Sequence, residues 1–131
     1  MSNTETLTLA LIGAGRTGTP LLRDLMDYSY VQVLGVADQD ENSPGMQLAR
    51  NQSIPRYRDP MELVQQVGEV DILIEVSGDK GLKGRIKQYY EQTGNRKTLI
   101  VHDLLARLMI SLSDRSPHLV PSLHPEDQGI G

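Results

Sequence analysis

The residues best suited to chemistry come early in the chain. Gly13-Ala14-Gly15-Arg16-Thr17-Gly18 is a G-x-G-x-x-G run, and Asp38 follows it at a meaningful distance. Each glycine has a separate task in such a run. Gly13 permits a tight turn off a strand. Gly15 has no side chain, so a pyrophosphate can reach the backbone. Gly18 lets a helix pack close to the strand. The first turn of that helix offers unpaired N–H groups and the positive end of its dipole to an anion. Arg16 and Thr17 lie inside the loop and join the glycines as expected cofactor contacts. Asp38 stands about 20 residues beyond the turn, where a carboxylate accepts a hydrogen bond from a ribose 2′-OH. A carboxylate there repels a 2′-phosphate, so NAD(H) is expected over NADP(H). Arg16 is the one nearby cation that works the other way. Two blander readings stand beside these: a glycine turn whose binding site has decayed or takes another nucleotide, and a solvated loop acid at 38.

The elements that must position these residues can be read around them. The apolar run 6–12 lacks polar alternation, as a parallel strand covered on both faces does. A helix follows over 17–28, with Leu21, Leu22, Leu25 and Met26 on one face and Pro20 in the first turn, where a missing N–H costs little. Val31–Ala37 is the second strand. Ser43 is the expected N-cap of a helix opened by Pro44 and running to about Asn51. Residues 54–57 form a short third strand at a sheet edge, where Pro55 is tolerated. Asp59 caps a helix opened by Pro60, and Gly68 follows its end. The fourth strand is 70–76, a helix covers 80–92 with Leu82, Ile86 and Tyr89 or Tyr90 inward, the fifth strand is 98–101, and a last helix spans 104–112 with Asp103 as its N-cap. Strictly alternating strands and helices imply an α/β fold, a doubly wound parallel Rossmann sheet, with strand order 3-2-1-4-5. The expected domain is 1–112. Residues 113–131 hold three Pro and no periodicity, so they are expected to be a disordered tail or an arm that docks on a partner.

Composition narrows the function. The chain has 131 residues, room for one domain, with no Phe and no Trp, so its core must be aliphatic. It has no Cys, which excludes disulfides and thiol chemistry. Its formal net charge is −4 with scattered Lys and Arg, which argues against nucleic acid or an anionic membrane as partner. No transmembrane run or signal peptide is apparent, so a cytoplasmic location is expected. His118 and His124 match no metal-ligand spacing, and no metal is assigned. Glu75 lies inside a strand, where a carboxylate must be paired or face a cleft.

Gly13–Gly18 (GAGRTG), Val33–Asp38 (VLGVAD), and DILIEVSGD at 71–79 together resemble the N-terminal NAD(P)-binding domains of Gfo/Idh/MocA-type oxidoreductases, over roughly residues 6–112. Homoserine and aspartate dehydrogenases and dihydrodipicolinate reductase carry similar domains. The resemblance implies that Ser77 and Gly78 also contact the cofactor; a plain capped turn is the alternative. In that family the site after the fifth strand typically reads Glu-Lys-Pro, with the Lys assisting proton transfer. This chain reads His102-Asp103-Leu104, without the Lys. His102 is the one catalytic candidate, as an acid or base near neutral pH, against a structural role capping the last helix or bonding a carbonyl. The resembled enzymes also carry a substrate domain for which these residues leave no room. The expectation is therefore an NAD(H)-binding regulatory or redox-sensing module, acting as a homodimer or with a partner protein through the fifth-strand edge and Leu105, Leu108, Met109 and Leu112. An oxidoreductase completed by a partner chain, and a CoA- or other nucleotide-binding protein, are the alternatives.

Overall fold

The computed structural model describes residues 5–126. Five strands and five helices alternate: β1 (Leu7–Ile12), α1 (Gly18–Leu25), β2 (Val31–Ala37), α2 (Pro44–Asn51), β3 (Arg56–Tyr57), α3 (Pro60–Val67), β4 (Ile72–Glu75), α4 (Leu82–Thr93), β5 (Leu99–Val101) and α5 (Asp103–Ser113). The strands form one parallel sheet in the order β3-β2-β1-β4-β5. This is the doubly wound arrangement that the alternation of elements predicts.

The side-chain period of two divides the core between the sheet's faces. Leu9 and Leu11 of β1 point to a cluster with Leu21, Leu22, Val36, Met46, Ile74, Val101, Ala106 and Ile110, which joins α1, α2 and α5 to one face. Ala10 and Ile12 point the other way, to Ala37, Leu63, Val64, Leu73, Leu82, Ile86 and Tyr90, which joins α3 and α4 to the opposite face. Tyr90 is the buried tyrosine of α4, and Tyr89 packs beside it partly buried. Burying a leucine such as Leu63 contributes roughly 1.5–3 kcal/mol. Gly35 makes room for it, because a Cβ there would stand 2.5 Å from Leu63 Cδ1.

Local signals set most boundaries. Asp59 Oδ1 accepts from the Met61 N–H at 3.0 Å and caps α3 as expected. Ser43 occupies the N-cap of α2, but its hydroxyl is buried without a hydrogen bond. Two expectations need correction. α1 ends at Leu25, three residues short of the expected end, because the chain turns through Asp27 and Tyr28 to enter β2. Asp103 is not an N-cap. His102 is the extended residue before α5 (φ −106°, ψ −177°), so Asp103 is already helical and turns its carboxylate along the helix to Arg107. At the other end of the sheet, Asp71 Oδ2 accepts from Thr8 N at 2.8 Å and Thr8 Oγ1 at 3.1 Å, tying the loop before β4 to β1. These bonds hold the Asp71 carboxyl below its ordinary value.

Residues 114–126 carry no helix or strand. They run back along α5, where Val120 packs against the first core cluster. The rest of the expected tail, residues 127–131, lies outside the described residues. No helix among the described residues is long and apolar enough to cross a membrane.

Candidate functional site

The sheet reverses strand order at β1, so its carboxyl end faces a crevice between the loops after β1 and β4. A cleft of about 670 Å³ opens there. All eight residues expected to contact a cofactor line it: Gly13, Gly15, Arg16, Thr17, Gly18, Asp38, Ser77 and Gly78. Gln39, Pro60, Asp79 and Leu82 also line it, as do Leu123 and His124.

Gly13 and Gly18 take the turn and the close helix packing that the spacing predicts. Gly13 adopts φ +99°, open to glycine without strain, and a Cβ there would stand 2.9 Å from Ser77 N. Gly18 starts α1 so close to the turn that a Cβ would lie 2.8 Å from the Gly13 carbonyl carbon. A Cβ on Gly15 would meet nothing within 4 Å, so the backbone there is open to the cleft.

The loop is held from several sides. Gly13 N–H donates to Ala37 O at 2.8 Å. Ala14 N–H donates to Asp38 Oδ2 at 2.8 Å. Ala14 O accepts from Thr19 Oγ1 at 2.8 Å and from Gly45 N at 3.0 Å, which brings the start of α2 onto the loop. Asp38 therefore has a structural task beside its expected one. Its Oδ1 also accepts from Asp40 N at 2.9 Å. Each carboxylate oxygen has two lone pairs, so both retain capacity for a ribose hydroxyl.

Glu75 ends β4 and is fully buried. Its Oε2 accepts from Ser77 N at 2.8 Å and Ser77 Oγ at 2.5 Å. The Ser77 hydroxyl thus turns inward, and Ser77 presents mainly backbone to the cleft. Glu75 Oε1 lies 3.4 Å from His102 Nδ1, and the same nitrogen is 3.0 Å from Glu75 O. His102 is itself buried and does not line the cleft. The catalytic candidate is therefore held against Glu75 behind the site, not in it.

The residues that sequence reasoning missed are Leu123 and His124. A proline-containing stretch without periodicity gives no signal of where it docks. Among the described residues, no cluster of His, Cys, Asp and Glu is placed to hold a metal ion.

No protein-family model and no curated protein matches the sequence. Solved structures do match its fold. A myo-inositol dehydrogenase from Corynebacterium glutamicum superposes with a TM-score of 0.59 at 18% identity, over 82% of this chain and 32% of that one. A myo-inositol 2-dehydrogenase from Lactobacillus plantarum gives 0.57 at 16% identity, over 86% and 34%. GenD2 from gentamicin A biosynthesis, solved in complex with NAD, gives 0.56 at 18% identity, over 87% and 33%. The chain spans about a third of the length of these proteins. At such identities the likeness is one of fold: this chain has the Rossmann fold found in these proteins.

Proposed function

We propose that this chain binds NAD(H) in the cleft at the carboxyl end of its sheet and acts as a regulatory or redox-sensing module. The observation that carries the reading is the open backbone at Gly15, set between the α1 N-terminus and the Asp38 carboxylate. A pyrophosphate fits the first, its negative charge the second, and a ribose hydroxyl the third. The NAD-bound state of GenD2, which shares the fold, supports the same assignment. His102 lies outside the cleft lining, which favours binding over turnover by that residue. Leu104, Leu105, Leu108 and Leu112 of α5 and Leu99 of β5 are exposed, whereas Met109 packs against the core. These leucines support a homodimer or a protein partner at α5 and β5. The second reading, an oxidoreductase completed by another chain, is favoured by the likeness to dehydrogenases about three times as long.

The test is at Asp38. Asp38→Ala should weaken NAD+ binding about 10- to 100-fold, the range for one lost charge-assisted hydrogen bond. It should also bring the affinities for NAD+ and NADP+ together. Asp38→Asn keeps one acceptor oxygen, enough for Ala14 N–H but not also for Asp40 N–H, so it should hold the glycine loop while still losing discrimination. Calorimetric titration of both variants gives the ratios. An unaltered preference for NAD+ in both would remove Asp38 from the site.

A further inference from the structure

The segment after α5 reaches the cleft along a chain of hydrogen bonds. Val120 N–H donates to Ser111 Oγ at 3.0 Å, and Val120 O accepts from Arg107 Nη1 at 3.3 Å. Arg107 Nε donates to Asp103 Oδ2 at 2.8 Å, and Ser122 Oγ donates to the same oxygen at 3.1 Å. Ser122 Oγ in turn accepts from His124 N at 3.1 Å. The anchor on Asp103 and Arg107 is largely buried, so the segment has a defined seat.

That seat brings the His124 imidazole across Gly78. A Cβ on Gly78 would stand 2.6 Å from both Cγ and Cε1 of the ring, and Gly78 has φ +82°. Only a glycine lets the imidazole lie this close to the loop. Leu123 lines the same cleft and remains 41% exposed. With the segment in place the cleft still has about 670 Å³, within the roughly 300–1,000 Å³ of small-molecule sites. The segment walls the cleft and does not fill it.

The position along the cleft says which part of a ligand meets this wall. Asp38 follows β2, on one side of β1. Ser77 and Gly78 follow β4, on the other side. The glycine loop lies between them. A dinucleotide with its adenosine ribose on Asp38 and its pyrophosphate over Gly15 extends its second nucleoside toward Gly78. We propose that Leu123 and His124 form the wall that receives the nicotinamide ring. This inference rests on the NAD(H) reading given above. A nicotinamide is a flat ring with one carboxamide. Leu123 offers apolar surface to the ring, and the His124 imidazole offers an aromatic face.

The test compares NAD+ with ADP-ribose, which lacks only the nicotinamide, on the full chain and on Leu123→Ala/His124→Ala. Both positions lie in an irregular segment at the surface of the fold, and circular dichroism checks that the fold is kept. The double variant should bind NAD+ about tenfold or more weakly and ADP-ribose as tightly as the parent chain does. Equal affinity for NAD+ in variant and parent would remove the segment from the site. Tighter binding by the variant would make the segment an obstruction instead of a wall. Equal weakening of both ligands would move its action away from the nicotinamide. A parent chain that binds neither ligand would overturn the NAD(H) reading itself, and this inference with it.

Discussion

Gly15→Val will cost NAD(H) binding on the order of a hundredfold or more, about 2.7 kcal/mol, and will leave the melting temperature within about 3 °C of the parent, a change below about 1 kcal/mol. The two halves of this expectation come from one observation. A Cβ at position 15 meets nothing within 4 Å, and Gly15 is not among the glycines with positive φ. A Cβ can therefore be built there without a positive φ to oppose it and without meeting a neighbour. The branched side chain of the valine then stands in the cleft, in the space above the loop that an incoming pyrophosphate requires. Calorimetry with NAD+ and a thermal melt read the two halves separately. Full affinity in the variant would mean that the ligand does not approach this backbone. Loss of the fold would make Gly15 a structural glycine and leave the cleft without its central argument.

Gly18→Ala should do the reverse. In an ordinary helix this change stabilises by up to about 1 kcal/mol. Here the new Cβ would lie 2.8 Å from the Gly13 carbonyl carbon, closer still to its oxygen, and 3.5 Å from Leu11 Cδ2. Neither the turn nor β1 can yield, because Gly13 N–H is held by Ala37 and Leu11 lies in the centre of the sheet. Relieving the overlap requires α1 to move off β1. Overpacking costs about 1–3 kcal/mol, more against backbone. A loss near 3 kcal/mol corresponds to a fall of about 10 °C at this size. Chemical denaturation measures it directly. A variant as stable as the parent would show that α1 does not sit this close to the turn.

Gly15 and Gly18 differ by three positions and by opposite expected consequences, and the turn and close packing behind the second were legible in the sequence. A glycine run between a buried strand and an amphipathic helix has local geometry, and local geometry follows from residue type and spacing. The order of elements was legible for the same reason, as was the Asp59 cap. Contacts between distant segments were not. Glu75 reads as an anomaly in a strand, but nothing in its neighbourhood reveals that Ser77 and His102 receive it. His102 reads as a candidate acid or base until the fold turns it onto Glu75. Asp103 reads as a cap because one residue of helix boundary cannot be resolved from propensity alone. The seat of His124 on Gly78 depends on Asp103, Arg107 and Ser111 facing the returning chain, and no periodic pattern encodes that.

The central claim is that the cleft between Gly15, Asp38 and Gly78 takes NAD(H). The measurement that bears on it most directly is calorimetric titration of the full chain with NAD+, NADH, NADP+, NADPH and coenzyme A. The account predicts saturable binding of NAD+ or NADH at one site per chain, with the 2′-phosphorylated pair at least about tenfold weaker because their phosphate meets Asp38. Coenzyme A binding in preference to all four, or no binding by any of the five, would contradict it.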